Sequence, residues 1–166
     1  MKRQWEKGWP ARFGKARSLG ISNMYGEKLE HLLAEAEVKP HVVQLEAHPY
    51  CTERSYMNHM AEYGTKLMGW YPLGHGDAEP TIVSLGDKYH KSGAQIILRW
   101  HTQMGFITIP GSKNPDHIRD NFNIFDFRLT DSEMQEIAKL DGTKKYYEAD
   151  DETEEKYAAM HLPFEH

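Results

Sequence analysis

The residue pattern best suited to binding chemistry is a short loop that runs into the start of a helix. Residues 110–113 read Pro-Gly-Ser-Lys, Asn114 is a helix-capping residue type, and Pro115 takes the first helical position, where proline is preferred. Such a helix start presents free backbone N–H groups and the positive end of the helix dipole. The pattern therefore predicts a site for an anion such as a phosphate.

Histidine and cysteine residues offer a second kind of chemistry, but their spacing argues against it. The chain has ten histidines, none in an HxH or HExxH arrangement, so solvated or core histidines are favoured over a zinc site. His48, directly before Pro49, is interpreted as a structural residue at a strand end. Cys51 is the single cysteine, which excludes an internal disulfide and fits a reducing compartment.

Composition argues against two classes of partner. The formal net charge is −5 and the pI is about 6.0, without the basic stripe that nucleic-acid binders carry. The apolar clusters are far too short to span a bilayer, and none follows the basic first three residues as it would in a signal peptide. We therefore expect no nucleic-acid partner, no membrane partner and a cytoplasmic location.

Four short apolar runs, each followed by a helical pattern, supply the elements that must position the binding residues. The runs are residues 18–21, 42–46, 67–70 and 106–109. Helices are predicted over residues 27–37, 54–63, 81–90 and 93–104, from 115, and from 130 to about 141. Ser92 with Gln95 and Thr130 with Glu133 have the spacing of capping boxes, which marks where two of the helices begin.

The alternation of strands and helices predicts an α/β protein with a parallel sheet. The runs are short, which suits a TIM-type barrel better than a wide open sheet, and four consecutive βα units make half of an eightfold (β/α) barrel. We therefore predict a half barrel over residues 18–142, with a remnant of a helix or linker at 1–17 and a C-terminal tail at 143–166.

Four segments, one at the end of each predicted strand, resemble the signature sequences of the aldo-keto reductase family. They are Gly-Ile-Ser-Asn at 20–23, Gln-Leu-Glu-Ala-His-Pro-Tyr at 44–50, Trp-Tyr-Pro-Leu-Gly at 70–74, and Ile-Pro-Gly-Ser at 109–112, continued to Asn121 and to Phe-Asp-Phe at 125–127. The resemblance implies that these strands are the fifth to eighth of the family's barrel. It also implies that the chain is the C-terminal half, without the N-terminal catalytic half.

The resemblance places the nicotinamide end of an NADP(H) or NAD(H) cofactor at three strand ends. Ser22, Asn23 and Gln44 match residues that hydrogen-bond the nicotinamide carboxamide. An amide needs both a donor and an acceptor as partners, and Asn or Gln supplies both. Trp70 matches the aromatic residue that stacks on the nicotinamide ring and leaves the other face of the ring open.

The rest of the cofactor is also placed by resemblance. Leu73 and Gly74 match the loop that passes over the pyrophosphate. Ser112, His117 and Asn121 match positions around the adenosine phosphate and the adenine.

Three positions depart from the family's pattern. Gly111 stands where a lysine usually pairs with the 2′-phosphate of NADP, His117 stands where many members have arginine, and Tyr71 replaces a small residue at the pyrophosphate. Lys113 is the candidate for supplying part of the missing charge. We therefore expect weak cofactor binding with little preference between NADPH and NADH.

The family reduces carbonyl groups with an Asp, Tyr, Lys and His tetrad from the first half of its barrel, where the Lys lowers the pKa of the Tyr general acid. Asp141 and Tyr146 have the spacing of the family's Asp–Tyr pair but follow the last helix, so we interpret the match as chance. The resemblance implies NADP(H)-dependent carbonyl reduction for the family. It assigns no catalytic residue to this chain, and a small carbonyl substrate is expected only in a completed barrel.

Two alternative functions stay open at this point. One is a non-catalytic half barrel that forms a homodimer or completes a barrel with an N-terminal partner fragment, because the outer strands of a half barrel are unpaired edges. The other is a complete small enzyme with a rearranged site. The acidic tail is interpreted as solvated chain or, by resemblance, as a segment that folds over the substrate pocket.

Overall fold

A computed structural model describes residues 16–148 and residue 150 of the chain. Four parallel strands form one sheet in chain order: β1 Gly20–Ser22, β2 Val42–Glu46, β3 Lys66–Trp70 and β4 Ile107–Thr108. Six helices are described: α1 Gly26–Glu35, α2 Arg54–Ala61, α3 Pro80–Tyr89, α4 Gly93–Met104, α5 Pro115–Phe122 and α6 Asp131–Ala138. The predicted alternation of parallel strands and helices is confirmed. The predicted remnant at 1–17 and the tail at 143–166 lie largely outside the described residues.

The helix starts follow the local sequence closely. The two predicted capping boxes are present at Ser92 and Thr130, and Asn114 caps α5 by accepting the Asp116 N–H at 2.9 Å. These caps satisfy backbone N–H groups that the first helical turn leaves free. Their formation explains why the first residues of α4, α5 and α6 could be read from the sequence.

Strand β4 is shorter than the predicted run, for two local reasons. Phe106 belongs to the turn that closes α4, because its N–H donates to the His101 carbonyl at 3.1 Å next to Gly105, whose φ is 86°. Pro110 has no N–H to continue the ladder beyond Ile109. Only Ile107 and Thr108 remain to pair with β3.

The sheet has one buried face and one partly open face. Val43, Leu45 and Leu67 are almost wholly buried, and they belong to one apolar core with side chains from α1, α2 and α4. The alternate residues Gln44 and Met68, neighbours in the register, are only partly covered. Because side chains alternate along a strand, the open face is the one that carries the polar residues toward the strand ends.

The two outer strands, β1 and β4, each have one hydrogen-bonded neighbour within the described part of the chain. The exposed apolar side chains Ile107 and Ile109 lie on or beside β4. Among the described residues the sheet is therefore open at both edges. No helix among residues 16–148 is long and apolar enough to cross a membrane.

Candidate cofactor-binding site

Three polar side chains lie together at the carboxyl ends of β1 and β2. Ser22 is paired with Gln44 in the sheet register, and the Asn23 backbone N–H donates to the Gln44 carbonyl at 2.9 Å. The Ser22 hydroxyl donates to Gln44 Oε1 at a long 3.4 Å, and Gln44 Nε2 donates to the Met68 sulfur at 3.3 Å. Because these partners are weak, the Gln44 amide can exchange them for the carboxamide of a ligand.

Trp70 ends β3 and is tied to the same cluster. Its indole N–H donates to Asn23 Oδ1 at 2.8 Å, which leaves the Asn23 amino group to donate elsewhere. The indole is half-buried, so it is fixed in orientation while part of its surface stays accessible. The structure thus brings together all four residues assigned to the nicotinamide, namely Ser22, Asn23, Gln44 and Trp70.

A cleft of about 740 Å³, lined in part by Tyr71, the residue after Trp70, lies between the loop after β3 and the starts of α4 and α5. Leu73 lines one wall, and Ser112, His117 and Asn121 line the other. Four of the five residues assigned to the pyrophosphate and adenosine therefore share one cavity. Its volume lies within the range of small-molecule and cofactor sites.

Gly74, the fifth of these residues, shapes the loop instead of lining the cleft. Its φ is 53°, and a Cβ at this position would lie 2.5 Å from the ring of His48. Only glycine combines this backbone conformation with so close an approach. The Gly74 carbonyl accepts a hydrogen bond from the Tyr146 hydroxyl at 3.0 Å, so the loop is in contact with the tail.

A buried carboxylate beside the site was missed by the sequence analysis. Glu46 is fully buried at the end of β2, with Oε1 2.8 Å from His48 Nε2. The same carboxylate accepts the backbone N–H groups of Tyr146 at 2.8 Å and of Tyr147 at 2.7 Å. These bonds hold the start of the tail against the strand ends, where the Tyr147 ring meets Trp70 edge-on at 5.9 Å. In the sequence, the only sign of this buried carboxylate was the presence of a glutamate in the apolar run 42–46.

The Asp141–Tyr146 pair has structural partners of its own. The Asp141 carboxylate accepts hydrogen bonds from the backbone N–H and the hydroxyl of Thr52. Tyr146 is bound to Glu46 and Gly74, as described above. Both residues fasten the segment after α6 to the loops at the strand ends.

Two histidines and the cysteine near the strand ends, His48, His101 and Cys51, are buried. Burial lowers the pKa of His101 to about 3, although its Nε2 lies 3.1 Å from the Pro72 carbonyl. Burial also lowers the pKa of His48 despite the neighbouring Glu46 carboxylate. Burial raises the pKa of the Cys51 thiol to about 12, which keeps it unreactive. Across residues 16–148, no group of three or more His, Cys, Asp or Glu side chains could hold a metal ion.

Comparison with known proteins identifies the family. The model of the aldo/keto reductase family matches residues 11–142, and the chain belongs to that family. The chain is 38% identical over 134 residues to an aldo-keto reductase of Mycolicibacterium smegmatis, covering 80% of this chain and 49% of that protein. It is 39% identical over 132 residues to aldose reductase B of Dictyostelium discoideum, covering 77% of this chain and 42% of that protein. The chain thus spans about half the length of the curated relatives it matches.

Comparison with solved structures shows that the fold is also similar to that of aldo-keto reductases. The crystal structure of an aldo/keto reductase from Brucella melitensis matches with a TM-score of 0.76 and 39% identity, covering 80% of this chain and 51% of that chain. The Bombyx mori aldo-keto reductase in complex with NADP matches with a TM-score of 0.76 and 30% identity, covering 82% and 48%. The four strands and their helices therefore match part of the (β/α)8 barrel of aldo-keto reductases.

Proposed function

We propose that this chain is the C-terminal half of an aldo-keto reductase barrel and that it binds a nicotinamide dinucleotide. The observation that carries the proposal is the bond from Trp70 Nε1 to Asn23 Oδ1, which fixes a half-exposed indole beside two side-chain amides. A flat apolar ring next to amide donors and acceptors suits the nicotinamide ring and its carboxamide.

The remaining contacts agree with an extended ligand. The cleft lined by Leu73, Ser112, His117 and Asn121 is also lined by Tyr71, which follows Trp70, and can take the pyrophosphate and adenosine. The bound cofactor would supply a hydride for carbonyl reduction. The residues of this chain would orient the cofactor, and we assign none of them to the catalytic step. Reduction of a small carbonyl substrate is proposed for the completed barrel.

Titration of the chain with NADH and NADPH, followed by cofactor fluorescence, tests the proposal. Trp70→Ala should weaken binding about two- to twelvefold, in line with the roughly 0.5–1.5 kcal/mol of an aromatic pair, whereas Trp70→Tyr should bind almost normally. Phe125→Ala is the control variant. It removes an exposed aromatic ring far from the strand ends in sequence, and it should bind the dinucleotides as the parent chain does. The absence of saturable binding of either dinucleotide would refute the proposal.

A second candidate function is assembly, and it rests on the open edges of the sheet. β1 and β4 present backbone N–H and C=O groups on their outer sides, and such edges pair with further strands when these are available. We propose that a second copy of the chain, or a complementing N-terminal half, joins these edges. Two copies related by a twofold axis would supply eight strands, as in a TIM barrel.

A further inference from the structure

The cleft that contains Ser112, His117 and Asn121 is acidic. Its charged lining side chains are Asp77 and Asp120, both exposed, and none of the described residues that line it is lysine or arginine. A 2′-phosphate would bring nearly two further negative charges to this cleft at neutral pH. Carboxylates at close range repel such a group. The free-energy cost of this repulsion decreases as salt screens the charges.

Two basic side chains near the cleft, Arg119 and Lys91, are engaged by other partners. Arg119 Nη1 lies 2.9 Å from Asp116 Oδ1 on the same helix. Lys91 Nζ lies 2.8 Å from Asp126 Oδ2 and donates to the Asn123 carbonyl. Lys113 is exposed and is not part of the lining. Neutralising a phosphate in the cleft would therefore require breaking an ion pair or redirecting Lys113.

The start of α5 offers little compensation for the missing cations. Pro115 has no N–H, and the Asp116 N–H is already bound to Asn114 Oδ1. The Ile118 N–H donates to the Asn114 carbonyl at 3.0 Å, so at most the His117 N–H of the first turn is left for an anion. The Asp116 carboxylate also sits in this first turn, where it complements the positive end of the helix dipole.

We propose, resting on the dinucleotide site proposed above, that the cleft selects NAD(H) over NADP(H). A free ribose 2′-hydroxyl can donate to a carboxylate, the arrangement by which acidic residues recognise NAD in other dinucleotide sites. A 2′-phosphate meets the same carboxylates with like charge. Gly111 alone predicts little preference between NADPH and NADH. The inference goes further because Asp77 and Asp120 both line the cleft.

Parallel titrations with NADH and NADPH at low and high salt test the selectivity. NADPH should bind about tenfold more weakly than NADH, a difference of about 1.4 kcal/mol, and salt should reduce the ratio. Competition by ADP and by adenosine 2′,5′-bisphosphate should show the same order, which assigns the effect to the adenosine end. Asp120→Asn should bring the binding affinity for NADPH closer to that for NADH.

Gly111 permits a matched pair of variants. A Cβ at Gly111 would have no atom within 4 Å, so a long side chain fits there. Gly111→Lys should remove or reverse the preference for NADH, whereas Gly111→Gln, of similar length and uncharged, should keep it.

Three outcomes count against the inference, and they are distinguishable. NADPH bound as tightly as NADH by the parent chain would overturn the selectivity and leave the dinucleotide site standing. An equal response to Gly111→Lys and Gly111→Gln would show that charge in this cleft does not set the preference. Failure of both dinucleotides to bind would overturn the proposed function together with the selectivity.

Discussion

The carboxylate of Glu46 lies 2.7 Å from the backbone nitrogen of Tyr147, which is 101 residues later in the chain. The same fully buried group accepts the Tyr146 N–H and contacts His48 Nε2. One side chain thus joins the end of β2 to the segment after α6. Because that segment touches Trp70 through Tyr147, the bond also determines what surrounds the candidate nicotinamide site.

Glu46→Gln should loosen this attachment. The glutamine amino group would face backbone donors that need an acceptor, so we expect a loss of about 1–3 kcal/mol in the free energy of unfolding. Urea denaturation measures the loss, and hydrogen exchange should speed up at the Tyr146 and Tyr147 amides. Glu136→Gln, which removes an exposed ion pair with Lys139, should change stability by less than about 0.5 kcal/mol. Equal effects of the two changes would contradict this role of Glu46.

Stability should fall as the pH decreases below 6.5, because of buried neutral histidine. Burial lowers the pKa of His101 from 6.5 to about 3, so the unfolded chain takes up a proton over this range before the folded chain does. The contribution is fully present above pH 6.5 and is lost progressively toward pH 3. His101→Gln keeps a donor for the Pro72 carbonyl without a titrating group. It should therefore reduce the pH slope of the unfolding free energy between about pH 6.5 and 5.

Glu133 gives a comparison at lower pH. Burial raises its pKa, but hydrogen bonds from Lys88, the Thr130 N–H and Tyr89 outweigh burial and lower the pKa to about 2. Since the folded pKa is depressed from 4.5, this contribution is present above pH 4.5 and lost between pH 4.5 and about 2. Glu133→Gln should flatten the profile only in this lower window. If the unfolding free energy of His101→Gln varied with pH above 5 in parallel with that of the parent, the assignment of this pH slope to His101 would be contradicted.

The chain alone should not reduce a reactive aldehyde with NADPH or NADH. Carbonyl reduction needs a general acid whose pKa is brought toward neutrality. The phenol nearest Trp70 in sequence, Tyr71, has its pKa raised, chiefly by desolvation, and burial also raises the pKa of Tyr25. Loss of cofactor absorbance that depends on the protein and survives repurification would contradict this prediction.

In solution the chain should form a homodimer or remain poorly folded. Within the described residues the four-stranded sheet leaves the outer edges of β1 and β4 and the Ile107 side chain exposed, and pairing with a second copy would cover them. Ile107→Lys should shift sedimentation at low micromolar concentration toward monomer. Val83→Lys, at a somewhat more exposed apolar position on α3, should not. A compact monomer with a sharp thermal transition would contradict the prediction.

Much of the architecture could be predicted from residues close together in the chain. The capping boxes at Ser92 and Thr130 and the cap at Asn114 act within three residues, so their helix starts follow from local sequence. Short apolar runs located the four strands, because strands buried on both faces are apolar along their length. Strand β4 is shorter than the apolar run that predicted it, because the turn after α4 includes Phe106 and Pro110 ends the strand on the other side. The length of an apolar run does not reveal such competition between neighbouring elements.

The same distinction between local and long-range contacts applies to the candidate site. Resemblance grouped Ser22, Asn23, Gln44 and Trp70 because parallel strands end at one edge of a sheet. The sequence did not reveal the contact of Glu46 with Tyr146 and Tyr147, or the presence of both Asp77 and Asp120 in the lining of one cleft. Those arrangements join segments that are far apart in the chain. Their burial and combined charge therefore exist only once the sheet and helices have packed and the segment after α6 has returned to the strand ends.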